Sequence, residues 1–130
     1  ATSFAPDTDT AQRAYVGEGG SGRVVAVEGD AAGMLDGKLR EVAKQGLGGT
    51  AEYLDTEKLW LIAATRDKLF QMKRDDLTVV ESTDFRRFLR QEGLGEARVS
   101  GMTVTRDRVY LTLEGEPYML SIRKTEKTRA

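Results

Sequence analysis

Apolar and polar positions alternate in short runs along most of the chain. Val109, Leu111 and Leu113 alternate with Arg108, Tyr110 and Thr112, the period-two pattern of a strand with one face in a core. Residues 58–64 (KLWLIAA) form a continuous apolar run instead, which suits a strand covered on both faces. Residues 23–28 (RVVAVE) read as a short strand through the β-branched bulk of Val24, Val25 and Val27. Further strands are expected over 50–54, 68–73, 77–81, 98–105 and 118–123. Thr65-Arg66-Asp67, Arg74-Asp75-Asp76 and Glu114-Gly115-Glu116-Pro117 supply the turn chemistry between them.

Two segments carry a helical period. In residues 34–45, Leu35, Leu39 and Val42 recur at four and three, with Asp30 as a start signal, Gly46 as a stop, and Gly37 weakening the interior. In residues 84–92, Phe85, Phe88 and Leu89 share a face behind the polar stretch Ser82-Thr83-Asp84, whose short oxygens suit an N-cap. Gly93 or Gly95 would close this helix. The expected fold class is therefore α+β, mainly antiparallel sheet built from two repeated strand–helix–three-strand units with two short helices. Residues 1–22 read as a flexible N-terminal tail and linker around the GEGGSG run, and residues 125–130 as a polar tail. The domain between them, 23–124, divides into repeats at about 23–74 and 77–124.

The repeat shows when residues 58–74 are set over 108–124, without a gap. Trp60 meets Tyr110, Leu61 meets Leu111, Phe70 meets Leu120, Met72 meets Ile122, and Lys73-Arg74 meets Arg123-Lys124. Upstream, Leu39-Arg40 falls on Leu89-Arg90 at the same offset of fifty. A repeated unit seldom buries its own apolar face, so such units stack on each other or on a partner.

Composition narrows the chemistry. Lys plus Arg is 20 and Asp plus Glu is 21, so no global charge draws the chain to nucleic acid or an anionic surface. Cys and His are both absent. That excludes disulfides and thiolate metal sites, and removes the commonest general base and metal ligand. No apolar run approaches the roughly 20 residues of a membrane-spanning helix. The reading favours a soluble, cytoplasmic chain, although it opens at Ala1 rather than Met, as a processed form or a fragment would.

Residues 57–81 (EKLWLIAATRDKLFQMKRDDLTVVE) run as apolar strand, turn, apolar strand, charged turn and short strand, and in this they resemble a β-propeller blade. Residues 100–124, opening with Ser100-Gly101, are similar to the inner strands of a second blade. Closed propellers use about 4–8 blades, so the resemblance implies a ring segment completed by further copies or by a longer protein. The order strand, helix, three strands, twice over, is also similar to one domain of a DNA sliding clamp. That resemblance implies helices presenting basic residues to a duplex: Arg86, Arg87 and Arg90 on the second helix, and Lys38, Arg40 and Lys44 on the first.

Other constellations carry less. Gly17, Gly19 and Gly22 before Val24 match the kinase glycine loop, but no other kinase motif occurs and a linker explains them better. Asp7 and Asp9 lack the further oxygens of a calcium loop, Asp75-Asp76 reads as a turn, and Glu114 and Glu116 flank a hairpin tip. No catalytic, metal or cofactor residue is assigned, and the chain reads as non-enzymatic. The expectation is a protein-interaction or assembly subunit that docks a protein partner, or itself as an oligomer, through sheet surface or edge strands. Trp60 and Tyr110 are its candidate interface aromatics. The alternative is nucleic-acid binding through Arg86, Arg87 and Arg90.

Overall fold

The computed structural model describes residues 3–7, 13–29 and 40–124. Eleven strands form three antiparallel sheets. Sheet I holds β1 (Ser3–Pro6), β2 (Arg13–Glu18), β3 (Arg23–Glu28) and β4 (Arg40–Gly46) in chain order. Sheet II holds β5 (Tyr53–Glu57), β6 (Trp60–Ala64), β7 (Lys68–Lys73) and β8 (Val79–Asp84), again in chain order. One helix, α1 (Phe85–Gln91), leads into the three-stranded sheet III of β9 (Val99–Val104), β10 (Arg108–Leu113) and β11 (Met119–Arg123). The first strand of each sheet lies beside the first strand of the next, β1 against β5 and β5 against β9. The sheets thus stand face to face, joined along their leading strands.

This corrects the α+β expectation. Among the described residues there is one helix, and the units are meanders of strands rather than strand–helix–three-strand repeats. The clamp-like unit, which needs a helix in each repeat, falls with it. Of the helix expected over 34–45, residues 34–39 lie outside the described residues and 40–45 belong to β4. There, pairing with β3 from Arg23↔Gly46 to Glu28↔Arg40 overrides the helical spacing. Val42, counted on the apolar helical face, is exposed on this outer strand. Residues 1–22, read as tail and linker, contain β1 and β2, and the glycine run is the turn of the β2–β3 hairpin. Gly20 and Gly22 take positive φ there, which side chains resist. A side chain at Gly17 would collide with Ser3 Oγ and the Ala51 carbonyl. The segment 125–130 lies outside the described residues.

The continuous apolar run of β6 is covered on both sides. Leu61 and Ala63 join Phe70 and Met72 against Tyr15, Val24 and Ala26 of sheet I. Ile62 and Ala64 join Leu69 against Val99, Val109, Leu111 and Leu113 of sheet III and Phe85 and Leu89 of α1. The fifty-residue register survives as a matter of faces. Phe70 and Met72 face the preceding sheet, and so do Leu120 and Ile122. In the second strands pairing sets the match two residues apart, since Lys73 opposes Trp60 and Arg123 opposes Arg108. An even shift leaves every side chain on its face.

Local chemistry fixes the ends. Asp84 caps α1 by accepting from the Arg87 N–H at 3.0 Å, as expected of the Ser82-Thr83-Asp84 stretch. Leu77 sits at φ 63, an uncommon region for a non-glycine residue. Its fully buried side chain and an N–H bond to the Lys73 carbonyl at 2.9 Å hold it there. Turns of the same composition, Thr65-Arg66-Asp67 and Thr105-Arg106-Asp107, close the β6–β7 and β9–β10 hairpins. In each, the Thr hydroxyl accepts from the backbone N–H three residues on.

Each seam carries an ion pair at the same place. Arg74, directly after the third strand of sheet II, reaches Asp7, directly after the first strand of sheet I, at 3.4 Å. Lys124, directly after the third strand of sheet III, reaches Glu57, the last residue of the first strand of sheet II, at 2.8 Å. The two cations are fifty residues apart and so are the two carboxylates. The Lys124 side chain is fully buried and Glu57 is partly buried. Removing one partner of a buried pair strands the other charge and costs about 3–5 kcal/mol, whereas replacing both with apolar groups is often close to neutral. Lys124→Met should therefore lower unfolding free energy by about 3–5 kcal/mol in urea denaturation, and adding Glu57→Leu should restore most of it. Equal losses in the single and double variants would refute coupling across this seam.

Candidate functional site

The seam between sheets I and II opens into a cleft of about 410 Å³, lined by Asp7, Arg13, Tyr15, Glu28, Leu59 and Arg74 among others. Alternation along β2 aims Arg13 and Tyr15 at sheet II, and the chain after β1 and β7 brings in Asp7 and Arg74. The Tyr15 hydroxyl donates to Asp7 Oδ2 at 2.6 Å and sits 3.2 Å from the Arg74 carbonyl. Arg13 uses its whole guanidinium. It donates to Glu28 Oε1 at 2.7 Å, to the Arg74 and Asp75 carbonyls at 2.8 and 2.9 Å, and to the Tyr15 oxygen at 3.2 Å. Its charge also lies 5.4 Å from the centre of the Tyr15 ring. Arg40 adds a longer contact to Glu28 at 3.8 Å.

The electrostatics follow from burial and these bonds. Burial, then the bond to the Asp7 carboxylate, push the Tyr15 phenol up to about 12, against the pull of Arg13. Burial pulls the Arg13 guanidinium down, but its bonds to Glu28 and Tyr15 outweigh that and hold it above its ordinary value. On the exposed turn beyond, the N–H of Thr78, 2.9 Å from Asp76 Oδ1, keeps that carboxyl below its usual range. The cleft thus offers a neutral phenol and carboxylates already paired with guanidinium groups. At its mouth stand Leu59, 67% exposed, and the exposed Lys73 and Asp75. Among the described residues no three of His, Cys, Asp and Glu gather to hold a metal ion.

The residues singled out from sequence lie elsewhere or at the edge of this cleft. Trp60 packs its ring into the seam between sheets II and III, and its buried indole N–H has no hydrogen-bond partner among the described residues. Tyr110 points the same way from β10, but among the described residues no sheet follows on that side, and it is half-buried. Arg86 is only 3% exposed. It donates to the carbonyls of Gly95 at 3.0 Å, Ala97 at 2.6 Å and Arg66 at 2.7 Å, and pairs with Asp67 at 3.3 Å. Arg87 and Arg90 are exposed. The three arginines therefore do not make one basic surface: one is an internal clamp and two remain on a seven-residue helix. Sequence reasoning missed Arg13 and Tyr15 because it placed them in a linker. The signal available was Asp7, which stands fifty residues before Glu57.

No protein-family model matches the chain, and no curated protein does. Solved structures do match. The WD40 domain of Pan2 from Neurospora crassa aligns over 93% of this chain and 36% of its own, with a TM-score of 0.60 and 10% identity. BamB from Moraxella catarrhalis aligns over 94% of this chain and 34% of its own, with a TM-score of 0.62 and 12% identity. The fold is similar to successive β-propeller blades. A glutaminyl cyclase from Myxococcus xanthus aligns over 93% of this chain and 47% of its own, with a TM-score of 0.51 and 13% identity. This chain spans about a third to a half of the length of these structures. At such identities the likeness is one of fold. Sheets I, II and III correspond to blades, with four, four and three strands among the described residues.

Tyr15 and Arg86 give two checks. A folded phenol raised above its unfolded value stabilises fully below about pH 10, and that stability is lost as pH rises through 12. Absorbance titration should show a tyrosine step near pH 12, and Tyr15→Phe should abolish that step and cost about 1–3 kcal/mol. For Arg86, Lys cannot reproduce a planar fork on three carbonyls, so Arg86→Lys should cost about 2–4 kcal/mol in chemical denaturation despite keeping the charge. A loss below about 0.5 kcal/mol, the range of ordinary surface changes, would refute the clamp.

Proposed function

We propose that the chain is a propeller-blade scaffold that docks a protein partner over the seam between its first two blades. The observation that carries this reading is the contrast within the cleft. Its buried ionisable groups bond to one another, while Leu59 stands exposed at the mouth between charged neighbours. A general base or nucleophile needs a free lone pair within reach of a substrate, and here the phenol is neutral and the carboxylates are held by guanidinium groups. An apolar anchor ringed by polar groups is instead the anatomy of a protein-docking spot. The likeness to a WD40 domain supports a scaffold role at the level of fold. The seam pairs keep neighbouring blades in fixed register, which gives such a surface a rigid base.

A photo-crosslinking residue at position 59 should capture one dominant polypeptide from the source extract. Leu59→Asp should abolish co-purification of that polypeptide while leaving the thermal midpoint within a degree or two, since the side chain is largely exposed. Diffuse labelling at background level would overturn the reading, as would turnover of a small molecule that depends on Tyr15.

A further inference from the structure

The junction between sheets II and III carries an addition that the first junction lacks. From sheet I to sheet II the chain passes directly through 47–52, whereas from sheet II to sheet III it takes 85–98, with α1 inside. A helix of seven residues does not hold itself in water. This one is held by its surroundings. Asp84 caps it, Phe85 and Leu89 are buried in the second seam, and the Arg86 guanidinium donates to the Gly95, Ala97 and Arg66 carbonyls. The face turned outward is therefore fixed in place.

That face has an order. At about 3.6 residues per turn, the buried side of α1 holds Phe85, Leu89 and Arg86, and the outward side runs from Phe88 across Arg87 and Gln91 to Arg90. Phe88 is 48% exposed. Beyond Arg90 a groove of about 720 Å³ separates the end of the helix from the tip of the β10–β11 hairpin, and Glu96, Arg98, Glu114 and Glu116 also line it. These charged side chains are exposed, and neither they nor Arg87 enter an ion pair among the described residues. The first-seam cleft is the opposite case, since its buried charges bond to one another. A polypeptide crossing α1 meets an apolar ring, then two cations, then a groove with three carboxylates.

We infer that α1 and the groove beside it dock one extended segment of a protein partner, ordered as an apolar side chain over Phe88, acidic residues against Arg87 and Arg90, and a basic residue among Glu96, Glu114 and Glu116. Charge complementarity sets the direction of the segment. A helix is about 10–12 Å across and an extended chain advances about 3.3 Å per residue, so the apolar and basic residues stand roughly four to six apart. A phosphate chain suits this surface poorly, because the carboxylates beside Arg90 repel it. Aromatic and arginine side chains supply much of the binding energy at protein interfaces, and opposed charges supply specificity. The surface lies at the other end of β6 from Leu59, since Arg86 bonds to the turn that follows β6 and Leu59 precedes it. It is a second docking site and rests on the protein-interaction reading of the fold.

The probe is an array of synthetic eight-residue peptides built from leucine, aspartate, lysine and glycine in varied order, read with the whole chain. Bound peptides should share aspartates placed between a leucine and a lysine, and a selected peptide should bind in solution at 1:1 stoichiometry. Arg87→Glu combined with Arg90→Glu should weaken that peptide at least tenfold, and so should Phe88→Ser. The thermal midpoint should stay within a few degrees, because these side chains face outward. Glu114→Lys combined with Glu116→Lys should turn the preference at the lysine position to aspartate and leave the other aspartates selected, a change of code that a merely adhesive surface would not show. The inference is overturned if no order is selected, if the selected peptide binds the reversed variants equally well, or if a short DNA duplex, and not peptide, binds the chain and is lost in the arginine variants. Absence of selection with the position-59 capture intact removes this inference alone; failure of both removes the interaction reading.

Discussion

A cation at the end of a third strand reaches back to a carboxylate at the end of the first strand of the preceding sheet, and both seams of the molecule contain this bond. Arg74 meets Asp7, and Lys124 meets Glu57. Sheets packed by apolar faces alone can slide, because dispersion and the hydrophobic effect are nearly indifferent to small translations. A buried ion pair is not indifferent. Stretching it by a few ångströms in a medium of low polarity leaves two charges without compensation. The pair therefore contributes little net stability compared with good apolar packing, but it rejects every register in which the partners do not meet.

The rest of the architecture is consistent with that constraint. Sheet II is apolar on both faces because it has a neighbour on each side, and β6 is the strand that shows it most plainly. The helix fills the outer end of the second seam with Phe85 and Leu89, and Arg86 ties it to three carbonyls of the flanking loops. Arginine suits that position because its planar fork satisfies several acceptors at once, which an ammonium group cannot do. The Tyr15 network extends the first ion pair sideways, so that Asp7 serves a phenol and a guanidinium together. Such networks favour one arrangement strongly when all members are satisfied.

Function, on this view, depends on what the constraint leaves over. Ionisable groups drawn into the seams bond to one another, and a leucine projects at the mouth of the first seam.

β3 and most strands of sheets II and III, with the faces they present, were legible in the chain itself, because period-two alternation and the turn residues are local; β1, β2 and β4 were not. Residues 23–28 and 108–113 are strands as read, and Asp84 caps a helix because its carboxylate is beside the N–H groups it serves. What the sequence by itself did not determine was whether residues 40–45 belong to a helix or a strand, whether the glycine run joins a tail or closes a hairpin, and where Arg86 points. For β4, pairing with β3 decided against helical spacing that is equally strong on paper. For Arg86, the acceptors come from loops up to twenty residues away and exist only once the sheets have met. The seam pairs show the same division. Two carboxylates and two cations at intervals of fifty are visible in the sequence, but only the stacking of one sheet on the next brings each cation to the carboxylate of its neighbour, because a bond between residues 67 apart has no local cause.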